Sequence, residues 1–194
     1  MKMNQKTKQK QESREAITAS AAALLRERGI KSSSVMDVMK GAGLTVGGFY
    51  NHFDSKEDLF VEVLRSASRA NWNNLLKSAR GDSPRARALN VTRQYLSRQH
   101  RDCKDTGCLL PGAAAEVARV GEPYRSALEK ELSTFIKSFA QMIDAGSESR
   151  EKAVALLALM YGALSLSQSV AGTRLSDEFL QAGKKLSEQC LLDT

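Results

Sequence analysis

Apolar residues recur three and four apart along most of the 194-residue chain, and no useful stretch alternates as a half-buried strand would. Ile17, Ala21, Leu24 and Leu25 mark one face of a first helix of roughly 12–28, closed by Gly29. Ser34 with Asp37 three positions on has the form of a capping box, so a short helix with Val35, Val38 and Met39 starts there and ends before Gly41 and Gly43. Thr45 is placed to cap another short helix of about 45–52, ended by Phe53 and Asp54. Ser55 with Asp58 repeats the box and opens a longer helix whose apolar face is Leu59, Phe60, Val63, Leu64 and Ala67, continued by Trp72, Leu75 and Leu76. Two very short helices around a tight glycine turn, flanked by longer ones, form the pattern of a helix-turn-helix.

Beyond Gly81-Asp82-Ser83-Pro84 the periods lengthen. A helix of roughly 85–100 carries Leu89, Arg93 and Leu96, and another covers about 109–119. Pro123, after the break at Gly121-Glu122, is placed as a first-turn residue. Leu128, Leu132, Phe135, Ile136, Phe139 and Ile143 then mark a long helix ending near Gly146. Residues 150–170 are apolar nearly all round, and 176–191 form a last amphipathic helix. The expected fold is all-α with about nine helices, and there is no internal repeat.

Composition narrows the class. Apolar residues make up 42% and charged residues 26%, a folded balance rather than a disordered one, and only three prolines interrupt the helices. No run approaches the roughly 18 apolar residues of a membrane span, and no apolar h-region precedes Ala16, so neither a membrane partner nor a secretory signal is expected. Three cysteines, odd in number and without zinc spacing, point to a cytoplasmic home and to neither a structural metal nor a cofactor. The net charge of +7 is uneven: residues 1–56 hold ten basic side chains against five acidic ones, so most of the excess lies in less than a third of the chain. That asymmetry suits a polyanion-binding N-terminal part. Lys2, Lys6, Lys8, Lys10 and Arg14 form a sparse basic arm over 1–11 and into the first helix, either a solubilising tail or a set of phosphate contacts.

The run Leu44-Thr45-Val46-Gly47-Gly48-Phe49-Tyr50-Asn51-His52-Phe53, followed by Ser55-Lys56-Glu57-Asp58-Leu59, strongly resembles the tetracycline-repressor family of transcriptional regulators. The likeness covers about residues 12–62, extending back through Val38, Asp37, Val35, Ser34, Ser33 and Gly29. Met39 and Lys40 stand where alanines are frequent, a mild departure. The resemblance implies a helix-turn-helix domain over 1–56, with a recognition helix at about 45–52, and an effector-binding and dimerisation domain over 57–194. It implies a double-stranded DNA operator as partner, a homodimer, and release of the operator by a small molecule.

The physical demands at these positions agree. A recognition helix needs small or polar side chains toward its start to approach base edges, and Thr45-Val46-Gly47-Gly48 supplies them. Each glycine costs roughly 1 kcal/mol of helix propensity, so stability does not explain the pair. Phe49 and Phe53, four apart, are expected in the small core, leaving Tyr50 to offer its hydroxyl to a phosphate; His52 and Lys56 are placed to do the same. By resemblance, Ser33, Ser34 and Thr45 look like backbone-positioning contacts, while Met36, Gly47 and Val46 occupy base-reading positions.

For the second domain the resemblance implies dimerisation through the last two helices. Leu156, Leu159, Gly162 and Ala163 on one, with Phe179, Leu180, Gly183 and Leu186 on the other, are the candidate interface residues; burial in a single-chain core is the competing reading. Trp72, Tyr95, Phe135, Phe139 and Tyr161 are candidate effector-lining groups, with plain core the favoured reading of each; no acidic cage or metal cluster stands out, which leaves an apolar or aromatic effector as the expectation. Cys108 in Gly107-Cys108-Leu109-Leu110, at a helix start and near Lys104, resembles a cysteine of electrophile-sensing members of the family, and Cys103 across the short loop could pair with it. A small buried cysteine is the alternative. An enzyme is disfavoured because His52 and His100 lack a partner carboxylate or nucleophile at a telling spacing and there is no phosphate-binding glycine loop. A helical protein that binds a partner or a membrane surface is the remaining rival.

Overall fold

The computed structural model describes residues 5–103, 108–143, 146 and 148–192. Lys2 of the basic arm, Lys104 and Gly107 lie outside the described residues. The elements are α1 (Gln5–Arg28), α2 (Val35–Gly41), a 3-10 helix (Val46–Asn51), α3 (Lys56–Ser78), α4 (Pro84–Tyr95), α5 (Arg98–Asp102), α6 (Leu110–Val120), α7 (Tyr124–Ile143), α8 (Ser149–Ser169) and α9 (Arg174–Leu192). There is no strand among the described residues.

Three boundaries differ from those expected. α1 begins seven residues early, because Gln, Lys, Glu and Arg are good helix formers and pair along its surface, Gln11 with Glu15 at 2.8 Å and Lys8 with Glu12 at 3.7 Å. The helix expected over 85–100 breaks at Leu96, and Ser97 restarts it as α5 by accepting from the His100 N–H at 3.0 Å. Pro123 precedes α7 instead of lying in its first turn, its carbonyl accepting from the Ala127 N–H at 3.3 Å.

Packing divides the chain into two compact units. One takes the chain up to Ser68 together with Gly112–Leu128; the other takes Arg69–Pro111 and the chain from Glu129 onward. In the first unit Ile17, Leu25, Val38, Met39, Phe49, Phe53 and Leu59 are almost wholly buried, each worth about 1.5–3 kcal/mol in apolar burial. Gly41 lets α2 close on α1, since a Cβ there would overlap the Ser20 hydroxyl, which donates to the Val38 carbonyl at 2.8 Å.

In the second unit α8 and α9 pack together, and Gly183 lies against Ala163 and Leu96, whose side chains would be 3.0 Å from a Cβ at that position. Ser167 and Ser176 exchange hydrogen bonds, each hydroxyl donating to the other's carbonyl at 2.8 and 2.7 Å. Arg98 grips Asp177 through two nitrogens at 2.9 and 2.5 Å, and Arg101 reaches Asp177 at 3.0 Å and Ser176 at 2.9 Å, so α5 is tied to the start of α9. Of the residues expected at a dimer face, Leu156, Ala163, Leu180 and Gly183 are buried within the chain itself. Leu159, Gly162 and Phe179 are half-buried and Leu186 is exposed. The apolar side chains that α8 and α9 leave outside are Val154, Leu166, Leu175, Leu186 and Leu192. No helix among the described residues is long and apolar enough to cross a membrane.

Candidate nucleic-acid interface

The corner after α1 turns on Gly29, whose φ of +81° lies in the left-handed region that favours glycine. Ser34 then caps α2. Its Oγ accepts from the Asp37 N–H at 3.1 Å while Asp37 Oδ2 accepts from the Ser34 N–H at 3.1 Å, the reciprocal box read from the sequence. The Ser34 hydroxyl and N–H, followed by the charge of Arg28 at 3.1 Å, hold the Asp37 carboxyl below its ordinary range. Ser33 does not fit the contact expected of it. It is fully buried, and its hydroxyl donates to the Gly29 carbonyl at 2.6 Å, so it serves the corner and cannot reach a phosphate.

Gly43, at φ +69°, carries the chain from α2 to the second short element. That element is a 3-10 helix, a form suited to six residues containing two adjacent glycines, where α propensity is weak. Thr45 has the extended backbone of a cap, but its side chain makes no capping bond; only its carbonyl is engaged, by the Gly48 N–H at 3.0 Å. Phe49 and Phe53 stack in the core with centroids 5.8 Å apart, as the four-residue spacing requires. Tyr50 meets Phe49 edge-on at 5.3 Å and is 69% exposed, while Met36 on α2 is 63% exposed. Thr45, Val46 and Gly47 are also exposed. A Cβ at Gly47 would meet nothing within 4 Å, and one at Gly48 only ordinary contacts at 3.8 Å, so crowding inside the protein does not call for either glycine.

The basic groups divide by role. Arg14, placed in the phosphate-touching arm from sequence, turns inward: its guanidinium lies 4.1 Å from the centroid of Phe53 and donates to the His52 carbonyl and to Glu62. Lys56 folds back over Phe60, 5.8 Å from its ring, with Nζ 3.5 Å from the Lys31 carbonyl. His52 is half-buried, and its Nδ1 has no hydrogen-bond partner among the described residues. Burial first, then the charges of Lys10 and Arg14, hold it below 6.5, so the ring is neutral at pH 7.

In the second unit the aromatic candidates fall into two groups. Trp72 and Phe135 lie 4.8 Å apart, with Phe135 stacked on Phe139 at 5.4 Å. Tyr95 packs on His100 at 4.8 Å and donates its hydroxyl to Cys108 Sγ at 3.5 Å. Burial, then the adjacent sulfur and Tyr161, push the Tyr95 hydroxyl well above its usual range. None of the three cysteines forms a disulfide, and all are half-buried. Glu131 escaped the sequence reading altogether. It is buried on the apolar face of α7, and Arg69 grips it at 3.2 and 2.5 Å. Its position, three after Leu128 and four before Phe135 on the apolar stripe, was the available signal.

A head of short helices around a glycine turn, stapled by a capping box and presenting its second element to solvent on a basic sequence, defines a helix-turn-helix transcriptional regulator. Residues 17–63 match the family described as "Bacterial regulatory proteins, tetR family". Over 140 residues, 71% of this chain and 70% of the other, the sequence is 30% identical to the HTH-type transcriptional repressor NemR of Escherichia coli (strain K12). The chain belongs to the tetR family. Its fold is similar to the reduced form of E. coli NemR, with a TM-score of 0.79 and 26% identity over 91% of this chain and 95% of that one. The HTH-type transcriptional repressor KstR2 of Mycobacterium tuberculosis (strain ATCC 25618 / H37Rv) is 47% identical over 45 residues, 23% of this chain and 22% of its own.

Proposed function

We propose that the protein is a cytoplasmic, dimeric repressor that holds a palindromic operator and releases it when a small molecule binds the second unit. The observation that carries this reading is the exposed face of Met36, Thr45, Val46, Gly47 and Tyr50, held rigid from beneath by Phe49 and Phe53. Three large apolar or amphipathic side chains, Met36, Val46 and Tyr50, stand mostly in the open at one end of a basic sequence. Against a major groove they meet thymine methyls and phosphates, and the two glycines let the backbone approach base edges. With few hydrogen-bonding base readers, selectivity leans on apolar contact, water and DNA shape. Val154 and Leu166 on α8, with Leu175 and Leu186 on α9, supply the apolar face for a second copy, which a palindromic site requires.

The test is binding of purified protein to the duplex flanking its own gene, by fluorescence anisotropy with footprinting at a stated salt concentration. Protection of a palindrome supports the reading. Reduced, dimeric protein that shows no salt-dependent binding to any duplex overturns it.

The Tyr95 hydroxyl directed at Cys108 Sγ favours a second reading, a thiol switch, since an O–H donor stabilises a thiolate. NemR, whose reduced form is the similar structure, is the relative that suggests it. Peroxide would oxidise the Cys103 and Cys108 thiols to one disulfide, with release of two waters. A mild oxidant that leaves operator affinity unchanged, or weakens a C108S protein equally, removes this reading.

A further inference from the structure

The corner between α1 and α2 is closed by a residue far away in sequence. The N–H groups of Ile30 and Lys31 both point out of the turn and donate to the two carboxylate oxygens of Glu116 on α6, each at 2.7 Å. Glu116 is buried, and no ion pair reaches it among the described residues. Successive backbone N–H groups beside a left-handed residue form a concavity for an anion, and here the anion is a side chain of the same unit. Gly29 keeps the space open: a Cβ there would overlap Glu116 Oε2. The end of α1 does not need this contact for its own hydrogen bonding, because the Gly29 N–H already returns to the Leu25 carbonyl at 3.2 Å. What the carboxylate adds is direction.

Direction at this corner is inherited by the reading face. Ser33 ties its hydroxyl to the Gly29 carbonyl, Ser34 caps α2, and Met36 stands exposed on the first turn. The Leu44 N–H then bonds the Met39 carbonyl at 2.9 Å, which carries the aim of α2 into the 3-10 helix.

The geometry assigns Glu116 to the DNA-reading apparatus: it is a positioning residue that aims α2 and the 3-10 helix for selective operator binding, without itself touching DNA. The assignment rests on the repressor reading above.

The test starts by enriching a duplex from a random library with the wild-type protein, then measures that duplex and a scrambled one against wild type, E116Q, E116A and G29A. Glutamine keeps the shape but sets a donor against one of the two N–H groups. E116Q should weaken the enriched duplex about tenfold and E116A and G29A by about tenfold or more, with the scrambled duplex within about twofold and an unchanged salt slope, since no phosphate contact is lost. Amide hydrogen exchange at Ile30 and Lys31 should be slow in wild type and faster in E116Q, where one of the two N–H groups faces a donor. Should E116A or G29A melt below the assay temperature, E116Q and the amide exchange decide. Wild-type selectivity in E116Q, or equal losses on both duplexes in step with melting temperature, overturns the positioning role. A wild-type protein that enriches no duplex overturns the repressor reading and the operator role with it, while the amide exchange still reports the contact.

Discussion

In the DNA-reading unit the carboxylate of Glu116, the hydroxyl of Ser33 and the guanidinium of Arg14 all close onto backbone atoms of the corner or of the reading element. In the second unit Glu131, Ser167 and Ser176 are answered as fully, while Asn71 Nδ2, His100 Nε2 and Ser165 Oγ lie buried with no hydrogen-bond partner among the described residues. Unanswered buried polar atoms cost stability and await water or a ligand. The contrast lies in where the bonds go: in the first unit they converge on the corner and the reading element, while three polar atoms of the second unit find no partner among the described residues. His52 Nδ1 is the one such atom in the first unit among the described residues.

The contrast can be broken by mutation. The largest effect should follow Arg69→Ala, which strands the buried Glu131 carboxylate and lowers unfolding free energy by about 3 kcal/mol, the low end for such pairs because Arg69 is itself half exposed; urea denaturation checks it. Ser33→Ala should cost about 1–2 kcal/mol by leaving the Gly29 carbonyl unanswered, with unselective DNA binding unaltered. A loss of unselective affinity in that variant would return Ser33 to the phosphate contacts. Tyr50→Phe should weaken enriched and scrambled duplexes alike, by about 1 kcal/mol, in anisotropy titrations.

Acidity probes the two histidines. Burial holds His100 below 6.5, and burial with Lys10 and Arg14 does the same for His52. The unfolded chain therefore binds more protons than the folded one as pH falls through 6.5, and stability should decline below that point while staying level above it. Melting curves from pH 7.5 to 5.5 read this directly, and His100→Phe should flatten the slope. The smallest effect is a gain: Asn71→Leu should raise stability by a few tenths of a kcal/mol, because it removes an unanswered donor.

What the sequence disclosed was local. The Ser34–Asp37 box, the Ser55 cap on the Asp58 N–H at 3.0 Å and the Phe49–Phe53 stack each depend on residues within four positions, and all three are present. Arg14, Glu116 and the outward side of α8 were opaque because their partners lie far along the chain or on another helix. Nothing near Arg14 announces that its target is His52 and Glu62, 38 and 48 residues away. Nothing near Gly29 announces Glu116. The apolar run 153–164 hides which face α9 covers, so only packing separates buried Leu156 and Ala163 from exposed Val154. Ser33 looked like its neighbour Ser34, yet the first hydroxyl turns back to the Gly29 carbonyl and the second forward to the Asp37 N–H.

Gly47 has a consequence for how such a regulator diverges. The position facing outward from the 3-10 helix carries no side chain, and no atom of the protein stands where one would grow. Single-base changes reach arginine, alanine and valine from every glycine codon, and each would add atoms where a Cβ meets nothing of the protein within 4 Å. A lineage carrying this blank can therefore explore new operators one step at a time, its fold intact at every step, and Gly47→Arg is the first such step to make at the bench.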